Sequence, residues 1–121
     1  MKTILLVEDN TPLGLAFQDT LQSANFQVIM ASNGREALDQ CQNIPVHIDL
    51  LLTDLIMPEM GGEELAAAIL PLYPNLKIVI MSGYPLTDTH AASLKIQIDG
   101  WLKKPITLQI LLNTINDLIY D

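Results

Sequence analysis

Three stretches of this chain are apolar or β-branched throughout, apart from the lysine that starts the third: TILLV at 3–7, LLLT at 50–53 and KIVIM at 77–81. A strand with one face in water alternates apolar and polar residues. An unalternating run marks a strand covered on both faces, the usual state of central strands in a parallel α/β sheet. The middle run ends on an acid, because Leu50, Leu51, Leu52 and Thr53 lead straight into Asp54. Met57-Pro58-Glu59-Met60-Gly61-Gly62 then forms a turn that must break the strand. Sites in such sheets gather at the carboxyl ends of strands, where Asp54 stands. Aspartate also caps turns by accepting backbone N–H groups, and on this stretch alone both readings stay open.

Between the strands the apolar period changes to that of a helix. From Pro12 onward, Leu13, Phe17, Leu21 and Ala24 fall on one face at spacings of four and three. Pro12 suits a first helical turn, Asn10 or Thr11 can cap it, and Asn25 is a helix stop. A second strand is predicted over 27–31, then a turn at Ser32-Asn33-Gly34 and a helix over 35–42 with Ala37, Leu38 and Cys41 inward. Ile44-Pro45-Val46 reads as a connector. After the third strand, a helix from Gly61 or Gly62 to Leu72 is expected to bury Leu65, Ala66, Ile69 and Leu72, with Pro71 and Pro74 ending it. A thin, marginal helix is expected over 84–97 and a short fifth strand over 98–102. A last helix over 107–120 carries a stripe of Leu108, Leu111, Leu112, Ile115, Leu118 and Ile119. Five strands alternating with five helices, on short connections, require a parallel sheet with helices on both faces. One domain over 1–121 is expected.

Composition excludes several classes of function. Fourteen Asp and Glu against six Lys and Arg give a net charge of −8, which repels a phosphate backbone and argues against direct nucleic-acid binding. No apolar run approaches the ~20 residues that span a bilayer, and acid arrives at Glu8, too early for a signal peptide. A cytoplasmic protein without membrane insertion is expected. The single cysteine, Cys41, offers no disulfide or metal pair and reads as a small apolar residue on a helix. His47 and His90 read as loop or surface residues away from the strand ends.

What stands at the strand ends carries the chemistry. Strand one ends in Glu8 and Asp9, strand three in Asp54, strand four in Ser82 and strand five in Lys104. Clustered carboxylates repel one another and raise each other's pKa, so such a cluster is destabilising unless something relieves it. A hard cation does so. Mg²⁺ takes oxygen ligands and uses one or two carboxylates beside phosphate oxygens, which suits Glu8, Asp9 and Asp54; zinc would need His or Cys at ligand spacing.

The acidic pair Glu8-Asp9, Asp54 followed by Met57-Pro58 and Gly62, Ser82-Gly83 and Lys104-Pro105 occur in order on the matching elements. Along its whole length the chain resembles the receiver domain of two-component response regulators. The resemblance implies a flavodoxin-like (βα)5 three-layer α/β sandwich with strand order 2-1-3-4-5. It implies Asp54 as the phosphoacceptor, taking a phosphoryl group from a histidine kinase or a histidine phosphotransfer domain. Mg²⁺ would then sit on Asp9, Asp54 and the Ile56 carbonyl, with Glu8 reached through water. Ser82 and Lys104 would hold phosphoryl oxygens, and a cis Lys104–Pro105 peptide is expected.

Trp101 stands where the family has Tyr, Phe or His as an aromatic switch, and a fixed and a moving indole both fit. Ile56 and Tyr84, bulky and uncharged, flank the approach of a hydrolytic water and imply slow self-dephosphorylation. The implied output is a shift of the strand-four loop, the thin helix, strand five and the last helix, read by a downstream protein target. No DNA-binding or enzymatic output domain is expected after Asp121. A stand-alone relay protein and the receiver of a hybrid histidine kinase both fit, and Met81-Ser82-Gly83-Tyr84-Pro85 favours the second slightly. Two rivals are weaker. A Mg²⁺-dependent phosphohydrolase with an aspartate nucleophile wants a second acid where Ile56 stands. An FMN-binding flavodoxin wants a Ser/Thr/Gly-rich loop where Glu8-Asp9 stands.

Overall fold

The unalternating runs become the centre of a five-stranded parallel sheet because each of their faces meets a different layer of helices. A computed structural model describes residues 1–43, 47–83 and 97–120. In chain order the elements are β1 (Thr3–Val7), α1 (Thr11–Ser23), β2 (Gln27–Ala31), α2 (Gly34–Asn43), β3 (Leu50–Asp54), α3 (Gly62–Ile69), β4 (Lys77–Ser82), β5 (Gly100–Lys103) and α4 (Leu108–Ile119). The sheet order is β2-β1-β3-β4-β5, with every neighbouring pair parallel. This is the flavodoxin-like order, and its helices lie on both faces.

Successive strand residues serve opposite layers. Ile4, Leu6, Leu50, Leu52, Val79 and Met81 pack with Phe17 and Leu21 of α1 and Leu111 and Ile115 of α4. Leu5, Val7, Leu51, Ile78 and Ile80 pack on the other face with Ala37 and Cys41 of α2 and Leu65, Ala66 and Ile69 of α3. Burying each such leucine or isoleucine stabilises the fold by about 1.5–3 kcal/mol.

Local signals set the helix ends. Asn10 Oδ1 accepts the Leu13 N–H at 3.1 Å, with Pro12 in the first turn. Asn25 stops α1 in the left-handed region at φ 72°. Thr107 Oγ1 accepts the Ile110 N–H at 3.1 Å at the start of α4.

Three expectations are corrected. Helix α3 ends at Ile69, not Leu72, and Leu72 is exposed. Pro71 has no N–H to continue the helical ladder, and the chain leaves through a turn in which Leu72 and Tyr73 donate to the Ile69 carbonyl. β5 begins at Gly100, not at residue 98, because Asp99 is occupied by side-chain and main-chain bonds to Ile78. Leu108 is exposed although it lies two turns ahead of buried Ile115 on the same helix face. The first turn of α4 therefore projects past the layer that the helix packs against. The connector at 44–46 and the thin helix expected over 84–97, Gln97 apart, fall outside the described residues.

Candidate functional site

Register brings the strand-end residues together. Val7 pairs with Thr53, so the next residues, Glu8 and Asp54, emerge side by side from β1 and β3. Asp54 pairs with Met81 and Ser82 with Lys103, and the Lys104 N–H donates to the Ser82 carbonyl at 2.7 Å. Glu8, Asp54 and Ser82 are all buried, while Asp9 is exposed. The Lys104–Pro105 peptide is cis.

Lys104 spans the two buried acids. Its Nζ donates to Glu8 Oε1 at 2.9 Å and approaches Asp54 Oδ1 at 2.6 Å. The second approach is an ion pair, and apart from Lys104 and the adjacent Glu8 the buried Asp54 carboxylate has no partner among the described residues. Glu8 Oε2 also accepts the Asn10 N–H at 3.2 Å.

Burial pushes the Asp54 carboxyl up from its ordinary 3.8 to about 8; the adjacent Glu8 adds to this, and Lys104 only partly opposes it. Burial would raise Glu8 too, but the Asp54 carboxyl, the Lys104 ammonium and the Asn10 amide outweigh it and hold Glu8 below its ordinary value. The two acids titrate as a coupled pair in which Asp54 is the harder to ionise. For Lys104, burial works against the charge, and the two acids overcome it and raise its pKa.

Glu8, Asp9 and Asp54 each offer a ligand oxygen, and these oxygens lie within 4.8 Å of one another. An open cavity of about 270 Å³ sits over them, lined by Asp9, Asp54, Ile56, Ser82, Gly83 and Lys104. A larger cavity, about 350 Å³, opens at the opposite edge of the sheet beside Asp49. That acid is already committed to the Thr3 N–H and to His47, whereas the acids at the smaller cavity are held only by Lys104, the Asn10 N–H and each other.

The turn after β3 shapes the floor. Met60 N–H donates to the Pro58 carbonyl at 2.7 Å around Glu59, whose φ is 68°, which makes a tight three-residue turn. The Gly62 N–H then donates to Leu55, and any Cβ at Gly62 would collide with the Asp54 carbonyl oxygen. A glycine there lets α3 start directly against the residue that bears the site.

A family model described as the response regulator receiver domain matches residues 4–116. The chain belongs to that family. Among its relatives, the response regulator receiver protein CpdR of Brucella abortus is 34% identical over 119 residues, covering 98% of both chains. The sensor kinase CckA of the same organism is 32% identical over 118 residues, which are 97% of this chain and 12% of that protein. Among solved structures, the chemotaxis response regulator CheY4 of Vibrio cholerae superposes with a TM-score of 0.88 at 28% identity, over 98% of each chain. The receiver domain of the hybrid histidine kinase CckA gives 0.81 at 26%, over 97% of this chain and 98% of that one.

Receiver domains are the signalling modules of two-component systems, not enzymes in the ordinary sense. Phosphorylation on aspartate is general to the family, as are interaction with histidine kinases and phosphotransfer proteins and Mg²⁺ binding at an acidic pocket. No helix among the described residues is long and apolar enough to cross a membrane.

Of the residues singled out in the sequence, Glu8, Asp9, Asp54, Ser82 and Lys104 meet at one edge of this receiver, with Ile56 at the cavity rim and its side chain exposed. Trp101 is not with them. It is half-buried among the residues that face α2 and α3. His47 is exposed at the opposite edge, 3.0 Å from Asp49, while Tyr84 and His90 fall outside the described residues. Sequence reasoning placed Lys104 in the site but missed its contact with both Glu8 and Asp54. Its signal was present, since a glutamate that directly follows a fully buried strand needs a cation.

Proposed function

We propose that this receiver accepts a phosphoryl group on Asp54 from the phosphohistidine of a kinase or phosphotransfer partner. The observation that carries the reading is the buried Asp54 carboxylate, paired only with Lys104 and Glu8 among the described residues and facing a cavity walled by Lys104 and Ser82. An Asp54 oxygen attacks phosphorus as the phosphorus–nitrogen bond breaks, and the imidazole leaves with the electron pair. Asp54 must be ionised to attack, and its burial beside Glu8 opposes that.

The donor set fits Mg²⁺, being all oxygen, clustered and only partly neutralised by Lys104. Asp9, Asp54 and the Ile56 carbonyl would hold the ion, with Glu8 reached through water. When bound, it would keep Asp54 ionised and offset charge on the transferring oxygens.

The protein's own groups complete the arrangement. Lys104 turns its ammonium from Asp54 toward a phosphoryl oxygen, as a compact point charge. The Ser82 hydroxyl donates to a second oxygen. A Cβ at Gly83 would meet nothing within 4 Å among the described residues, which leaves space for the donor imidazole. Exposed Ile56 at the rim hinders a hydrolytic water and slows loss of the group. The added charge of about −1.5 to −2 draws Ser82 and Lys104 inward, and β5 and α4 follow as the surface read by a downstream protein.

The test is intact mass after incubation with Mg²⁺ and acetyl phosphate. The wild type gains one phosphoryl group and Asp54→Asn gains none. An unlabelled wild type, or equal labelling of both, defeats the reading.

A further inference from the structure

The meeting of Lys104 with Asp54 depends on strand registers, and two aspartates at the far edge of the sheet set them. Asp49, just before β3, donates its N–H to the Thr3 carbonyl at 2.9 Å, and its Oδ2 accepts the Thr3 N–H at 2.8 Å. Asp99, just before β5, repeats the arrangement. Its N–H donates to the Ile78 carbonyl at 2.8 Å, and its Oδ2 accepts the Ile78 N–H at 2.8 Å. In each case a carboxylate takes the place of a ladder carbonyl and closes a two-bond clamp on the neighbouring strand. Asp49 stands five residues before Asp54, and Asp99 five before Lys104. Five strand residues span about 17 Å.

The two clamps do not carry equal weight. β3 is held between β1 and β4, whereas β5 is an edge strand of four residues paired with β4 alone. Of its three side chains only that of Leu102 is buried, with Trp101 half-buried, so the core grips β5 less firmly than the central strands. A slip of one residue would turn the following lysine to the other face of the sheet. A smaller shift would pull Nζ out of reach of Asp54.

We infer that Asp99 is a positioning residue for phosphoryl transfer, clamping β5 to Ile78 so that Lys104 reaches the Asp54 oxygens. The inference rests on the phosphoacceptor reading given above. Asp99 touches neither the phosphoryl group nor the carboxylates; it acts through the register of one short strand. Only its acceptor oxygen is needed, which an asparagine supplies equally well.

A double-mutant cycle tests this. Initial rates of phosphoryl uptake from acetyl phosphate with Mg²⁺ are measured for the wild type, Asp99→Ala and Asp99→Asn, each with Lys104 intact and with Lys104→Ala. Asp99→Ala should slow uptake by about tenfold or more, since misplacement by about 1 Å can cost about a hundredfold. Asp99→Asn should stay within about twofold, and Asp99→Ala should add less than about twofold once Lys104 is gone. Uptake by Asp99→Ala at the wild-type rate, or an equal loss in the Lys104→Ala background, overturns the inference.

If Asp99→Ala does not fold, Asp99→Glu, which keeps the acceptor and displaces it by one methylene, enters the same cycle with the same criteria. An unlabelled wild type would strike the phosphoacceptor reading alone. The clamp then has its own readout in hydrogen exchange at the Lys104 amide, which is bonded to Ser82. Exchange should quicken in Asp99→Ala and not in Asp99→Asn; unchanged exchange in Asp99→Ala overturns the clamp.

Discussion

The two edges of the sheet use carboxylates in opposite ways. At the amino edge, Asp49 and Asp99 each accept a strand N–H at 2.8 Å, and Asp49 also meets His47. At the carboxyl edge, Glu8 and Asp54 share one lysine, and apart from it and Glu8 the buried Asp54 carboxylate has no partner among the described residues. Acceptors committed to amides hold strands in place. Acceptors only partly satisfied in a buried site cost stability and stay available to a cation and a phosphoryl group. The fold thus secures one end of its strands and leaves the other under electrostatic tension, where a charge-changing event has the greatest leverage.

The largest test of this contrast is chemical. Asp54→Asn should abolish phosphoryl uptake, whereas Asp49→Asn, which keeps an acceptor for Thr3, should retain it, as read by intact mass. Lys104→Ala comes next: removing a preorganised charge from the transferring oxygens should slow uptake by about a hundredfold in single-turnover assays.

Stability should divide by edge. Asp49→Ala leaves the Thr3 N–H without its partner and should cost about 1–3 kcal/mol in urea melts, whereas Asp54→Asn should stabilise the metal-free protein.

The pH dependence follows from the raised carboxyl. Between the ordinary 3.8 of Asp54 and about 8, the folded state holds a proton that the unfolded state has lost. Metal-free stability must therefore fall as pH rises through that window, and Asp54→Asn should remove the slope. Glu8, held low, contributes in the other direction and only in acid, where stability falls as pH drops below its ordinary 4.5.

The smallest effect concerns Cys41. Burial pushes its thiol up to about 11, so the folded protein should resist iodoacetamide at pH 8, while the urea-unfolded chain reacts.

The sequence was most legible where one physical cause dominates. Strands 3–7 and 27–31 coincide with β1 and β2, and the unalternating runs correctly announced layers on both faces. The site residues were legible because each ends or closely follows a strand, so parallel register alone collects them. Legibility failed where a competing interaction intervened. The apolar period carried α3 on to Leu72, past the point where Pro71 stops the ladder. It also could not show that Asp99 would draw two residues out of β5, because a side chain that mimics a carbonyl leaves no periodic trace. Leu108 sits on the correct face of α4 but beyond the layer it would pack on, and pattern alone does not give the length of that layer. The bridging of Glu8 and Asp54 by Lys104 needed distances, since 50 residues separate the aspartate from the lysine.

That the carboxyl edge is held in repulsion that Lys104 only partly relieves is tested most directly by thermal melts at pH 7.5 of the wild type and Asp54→Asn, in EDTA and across a Mg²⁺ titration. Asp54→Asn should melt several degrees above the wild type in EDTA, and Mg²⁺ should raise the wild type and close the gap. A wild type that melts at or above Asp54→Asn in EDTA and does not respond to Mg²⁺ would contradict it.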